Sequence, residues 1–85
     1  MREFLYTIED PMGFHARPAS RLFMEAMKYE SVIEAVGENG ETADCKNLLA
    51  IMGLGAVERS QILFRIDGAD EEAAEKALKE VLSVK

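Results

Sequence analysis

The sequence predicts an α+β open-faced sandwich, a small sheet with helices over one face, in the order β-α-β-β-α-β-α. Three observations predict it. Apolar side chains alternate with others across Arg2–Ile8 and again across Gln61–Ile66, the period of a half-buried strand. Apolar residues recur at helical spacing after Pro18 and after Asp70. Between those segments Asn39-Gly40 gives the strongest short-range hairpin signal, with strand-like runs on either side.

The first strand, Arg2 to Ile8, puts Phe4, Tyr6 and Ile8 on one face and Glu3, Leu5 and Thr7 on the other. Pro11 and Gly13 then break the run, because proline lacks an N–H and glycine accepts turn conformations. A helix is expected from about Ala16 to Lys28, with Ala19, Leu22, Phe23, Ala26 and Tyr29 inward. Met24 and Met27 fall off that stripe, as ordinary packing or as an adaptable contact surface. Ser31–Val36 and Glu41–Asp44 form the hairpin around Asn39-Gly40. A short helix over Asn47–Met52 stops near Gly53 and Gly55. Its Leu48, Leu49, Ile51 and Met52 are more apolar than two turns need to bury on one side, so docking and core packing both stay open. After Gln61–Ile66, Asp70 is expected to cap a last helix whose buried stripe is Ala73, Ala77, Leu78, Val81 and Leu82. Glu72 with Lys76 and Glu75 with Lys79 are spaced as i,i+4 pairs on its solvent side.

Eighty-five residues, 48% of them apolar, suit one domain over residues 1–85 with one modest core. There is no internal repeat, linker or low-complexity segment. A net charge of -6 argues against a nucleic-acid surface, and against an anionic membrane for the same reason. No apolar run approaches the ~20 residues that span a bilayer, and Met1–Tyr6 lacks signal-peptide organisation. A cytoplasmic location is therefore expected. The single cysteine, Cys45, has no disulfide partner and no ligand or base in local spacing. It is expected to be a small semi-buried residue.

Chemistry concentrates in Pro11–Ser20, which reads P-M-G-F-H-A-R-P-A-S and holds the only histidine. Proline is tolerated in the first turn of a helix, whose amides lack intrahelical partners. Pro18 therefore places His15 at or just before a helix N-terminus. Such a terminus carries unpaired N–H groups and a partial positive charge. Arg17 adds a planar cation that binds phosphate in bidentate fashion. An imidazole there is neutral and nucleophilic near neutral pH, and the same groups would stabilise a phosphoryl group placed on it. The alternative at this point is an ordinary surface histidine beside an arginine. No metal or nucleotide site is visible, and no cofactor is required.

The motif G-F-H-A-R-P-A resembles the active-site signature of the HPr family, the histidine-containing phosphocarriers of the bacterial phosphoenolpyruvate:sugar phosphotransferase system. Lys46–Gly55, K-N-L-L-A-I-M-G-L-G, is similar to the family's second block, and Asp67–Ala74, D-G-A-D-E-E-A-A, resembles the start of its last helix. The resemblance covers essentially the whole chain. It implies the HPr-like open-faced sandwich, with a four-stranded antiparallel sheet and three helices on one face. It also implies that His15 takes a phosphoryl group from the first enzyme of the pathway and passes it to a sugar-specific transporter component. Arg17 and the amides of Ala16 and Arg17 would stabilise that group. The protein would be a stoichiometric carrier, not an enzyme, and a monomer is expected. Met24, Met27, Leu48, Leu49 and Met52 are the partner-docking candidates.

Three positions depart from the family pattern. Asn47 stands where one branch has a regulatory serine, so no such serine is present, although asparagine remains a sensible helix N-cap. Met12 replaces a small polar residue beside the active-site glycine. Arg59 stands where the turn before the last strand usually has glycine, so that turn is either strained or rebuilt. Two further readings stay open: a carrier of the nitrogen-related phosphotransferase branch, and an HPr-like module that docks on a transcriptional regulator or an enzyme without transferring phosphate.

Overall fold

The structure, a computed structural model, describes residues 1–13 and 16–83. In chain order the described elements are β1 (Arg2–Thr7), α1 (Ala16–Ala26), β2 (Val32–Val36), β3 (Thr42–Asp44), α2 (Leu48–Gly53), β4 (Gln61–Asp67) and α3 (Glu71–Leu82). The predicted order holds. The four strands form one antiparallel sheet in the order β1-β4-β2-β3. Two central strands, β4 and β2, come from distant parts of the chain and pair through Ile33↔Ile66 and Ala35↔Phe64.

Strand alternation decides which face is covered. Ile62, Phe64 and Ile66 of β4, Ile33 and Ala35 of β2 and Ala43 of β3 are buried, and they meet Ala19, Leu22 and Ala26 of α1, Ile51 of α2 and Ala74 and Leu78 of α3. The five alanines let the helices approach the sheet closely, while Phe64 fills the centre and stacks on Phe4 at 5.1 Å between ring centroids. Fully burying a side chain such as Phe64 contributes roughly 1.5–3 kcal/mol. On the opposite face Arg65, paired in register with Glu3 and Glu34, lies 3.1 Å from the first and 3.9 Å from the second. All three are well exposed, so that ladder sets charge and adds little stability.

Several expectations are corrected. Helix α1 stops at Ala26, two residues short of Lys28. Cys45 is fully buried, not half-buried, because its amide donates to the Ile33 carbonyl at 2.9 Å and draws it beneath the sheet edge. Burial pushes its thiol up to about 12. On α3 the residue turned fully inward is Ala74, and Ala73 faces solvent. The row Ala74, Leu78, Leu82 therefore faces the core at a steady spacing of four.

Asp70 occupies the N-cap position of α3, yet its carboxylate makes no bond to that helix's own amides. It accepts instead from the amides of Glu30 at 2.8 Å and Ser31 at 3.0 Å, and from the Ser31 hydroxyl. One carboxylate thus ties the start of α3 to the connection between α1 and β2. The Ser31 hydroxyl first, and the Glu30 amide after it, hold the Asp70 carboxyl below the ordinary aspartate range.

The turn before β4 keeps a glycine-type geometry around an arginine. The Ser60 amide donates to the Val57 carbonyl at 3.1 Å, and Arg59 sits third in that four-residue turn at φ 74°, the position where a type II turn calls for glycine. Beyond β1, Ile8 donates to the Ser60 carbonyl at 3.0 Å and accepts from the Arg59 amide at 2.8 Å. Arg59 and Ser60 together oppose Ile8, which makes a β-bulge. A left-handed conformation at a non-glycine residue costs about 1–2 kcal/mol. The turn is therefore strained and not rebuilt.

Candidate functional site

The turn that leads into α1 is built from Asp10 to Gly13. The Gly13 amide donates to the Asp10 carbonyl at 2.9 Å, and the Met12 amide donates to the Asp10 carboxylate at 2.8 Å. Asp10 closes both loops of this turn, as aspartate readily does with the backbone two residues on. Gly13 is buried at φ 70°, and a Cβ there would lie 2.4 Å from the Ala56 carbonyl oxygen and 3.0 Å from Val57 Cα. Only glycine fits, for both conformation and space. The strained turn before β4 thus forms a wall against the turn before α1.

His15, the centre of the sequence argument, lies outside the described residues. The residues that follow it open the helix expected from about Ala16. Ala16 and Arg17 open α1 and are exposed, and Pro18 follows in the first turn, where the free amides of a helix N-terminus favour an anion. Arg17 and Arg21, one turn apart, line a cleft of about 340 Å³ with Tyr6, Pro11 and Leu82. Burial first, and the charge of Glu9 after it, push the Tyr6 phenol above its ordinary value. Arg17 makes no ion pair among the described residues, and Glu9 and Asp10 line the same cleft.

The docking candidates divide. Met24 on α1, Met27 just beyond its end, and Leu49 and Met52 on α2 are exposed, Leu49 to 80%. The two helices pack on one another, so Met24, Leu49 and Met52 lie on adjoining helices. Leu48 is different, being partly buried against the core. Met12, 75% exposed, and Val57, 64% exposed, add apolar surface beside the Gly13 turn. Val57 lies in a turn, where no periodic pattern marks a side chain as inward or outward, so sequence reasoning had no signal for it. Lys46 was also missed. Its ammonium donates to the Tyr29 carbonyl at 2.6 Å and anchors the lead into α2 to the end of α1. Asn47 caps α2 as expected, its side-chain oxygen accepting from the Ala50 amide at 3.2 Å.

Comparison with known proteins gives one answer. The family model described as the PTS HPr component phosphorylation site matches residues 2–83. The phosphocarrier protein HPr of Mycoplasma genitalium is 42% identical over 82 residues, covering 96% of this chain and 93% of that protein. The HPr of Lysinibacillus sphaericus is 39% identical over 83 residues, covering 98% of this chain and 93% of the relative. Among solved structures, a mycoplasma histidine-containing phosphocarrier protein superimposes with a TM-score of 0.91 at 31% identity, covering 95% of this chain and 91% of that one. HPr-C-His from Thermoanaerobacter tengcongensis gives 0.89 at 33% identity, with 96% and 91% covered. Among the described residues no helix is long and apolar enough to cross a membrane.

Proposed function

Because this chain belongs to the HPr family of phosphocarriers, we propose that His15 accepts a phosphoryl group from the phosphorylated first enzyme of the phosphoenolpyruvate-dependent system and passes it to a sugar-specific component. The bond between phosphorus and the donor breaks as the bond to the His15 ring forms. The donor keeps the bonding pair, so no further reactant is required. The observation that carries this reading is what precedes and follows His15 in the chain: a turn locked at Gly13 by the Ala56 carbonyl, and Arg17 at the opening of α1, with no ion pair among the described residues. Two features then meet the charge of the phosphoryl group, the first-turn amides of Ala16 and Arg17 and the Arg17 guanidinium. The exposure of Ala16 and Arg17 suits a carrier, which must release what it accepts.

The exposed side chains of Met24, Met27, Leu49 and Met52 are assigned to docking of those partners, with Met12 and Val57 as a continuation beside the transfer site. Leu48 acts in the core. All 85 residues serve as one HPr-like domain. The test is intact mass after incubation with phosphoenolpyruvate and a first enzyme from the same source. One phosphoryl group should be gained, lost on brief acid treatment and never acquired by His15→Ala. A wild-type chain that gains nothing overturns the proposal.

A further inference from the structure

Most of the described cations are already engaged. Arg2 and Lys79 pair with Glu75, Lys28 with Glu25, and Arg65 with Glu3 and Glu34, while Lys46 holds the Tyr29 carbonyl. Arg17, Arg21, Arg59 and Lys76 have no ion pair among the described residues, in a chain with 16 acidic side chains against 10 Lys and Arg. Lys76 lies on α3, whereas the other three border the Pro11–Gly13 turn. Arg17 and Arg21 share a cleft with Pro11 and with the carboxylates of Glu9 and Asp10, and Arg59 is bonded to Ile8 in the turn whose Ala56 carbonyl meets Gly13.

Arg59 is the most informative of the three. Its backbone adopts a conformation that glycine would hold without strain, yet its side chain is exposed and pairs with no carboxylate among the described residues. The bond from its amide to the Ile8 carbonyl would hold the bulge equally with glycine, so the side chain itself offsets none of the strain within the described residues and its guanidinium faces outward. We propose that Arg59 is a partner-contact residue which, with Arg17 and Arg21, offers a cationic rim to an acidic patch on the protein that donates the phosphoryl group. The inference rests on the phosphocarrier reading above. A rim charge of this kind acts mainly on the rate of encounter and is screened by salt.

The experiment compares wild type, Arg59→Gly and Arg59→Lys in phosphoryl transfer from the phosphorylated first enzyme, at low and high ionic strength. Arg59→Gly should melt at a higher temperature and still accept phosphate more slowly at low salt, by about 3- to 10-fold, with the difference closing as salt rises. Arg59→Lys should stay within about two-fold of wild type, since it keeps the charge. Equal rates for Arg59→Gly and wild type at every salt concentration overturn the Arg59 role alone, as does a lysine variant as slow as the glycine one. A changed lifetime of phosphohistidine in the isolated Arg59→Gly protein overturns it as well, in favour of direct contact with the phosphoryl group. A wild-type chain that accepts no phosphate overturns the phosphocarrier reading and this one together.

Discussion

Gly13 and Arg59 share a backbone conformation, with φ of 70° and 74°, and belong to turns that touch one another. Their surroundings differ completely. At Gly13 a carbonyl oxygen occupies the place a Cβ would take, whereas Arg59 projects into solvent. The difference separates two demands that glycine usually meets together: tolerance of left-handed backbone, and absence of a side chain. The first is a strain of limited size that a structure can carry. The second is absolute wherever backbone lies within contact distance.

The largest expected effect follows from occlusion. Gly13→Ala adds the left-handed penalty of about 1–2 kcal/mol to an overpacking penalty of about 1–3 kcal/mol. Its urea midpoint should fall by the equivalent of roughly 2–5 kcal/mol, and an unchanged midpoint would break the contrast. The open sites should show the strain by itself. Arg59→Gly should gain about 1 kcal/mol. Gly40→Ala, at φ 86° with nothing within 4 Å of the added methyl, should lose about the same. A Gly40→Ala loss as large as that of Gly13→Ala would show that sterics are not what distinguishes them.

Asp70 extends the contrast to charge, since its carboxylate is tied to a loop 39 residues away. Its folded pKa lies below the ordinary value of 3.8, so its contribution to stability is present above 3.8 and is lost as pH falls through the folded value. Glu75, lowered first by Arg2 and then by Lys79, titrates in the same sense below its ordinary 4.5. Acid denaturation of Asp70→Asn should therefore be shallower than that of wild type across this range, and parallel curves would sink the assignment. At the open extreme stands Leu49→Glu, which should shift stability by no more than about 0.5 kcal/mol while weakening binding of the first enzyme. A large fall in melting temperature would return Leu49 to the core.

Those positions also show what was legible beforehand. Helix periodicity placed Ala19, Leu22 and Ala26 inward, and strand alternation put Phe4, Tyr6 and Ile8 on one face, because each depends on neighbours two to four residues away. Arg59 was flagged by the family pattern, which usually has glycine at that turn, and local reasoning had no part in it. Helix periodicity misjudged Ala73 against Ala74, where one residue is a rotation of 100° and only the packed sheet selects the angle. Leu48 was one apolar residue among four on a short helix, and contact with the core alone distinguished it from Leu49.

The amino-acid sequence by itself determined the order of elements, the faces they bury, the HPr resemblance and the motif that surrounds His15, because periodicity and turn chemistry act over a few residues. Only the tertiary structure decided that the Asp70 carboxylate turns away from its own helix to Ser31, that Cys45 is sealed beneath the sheet, and that the Ala56 carbonyl closes on Gly13. Each of these joins segments tens of residues apart. No local preference encodes such a meeting, and it exists only once the core has drawn the segments together.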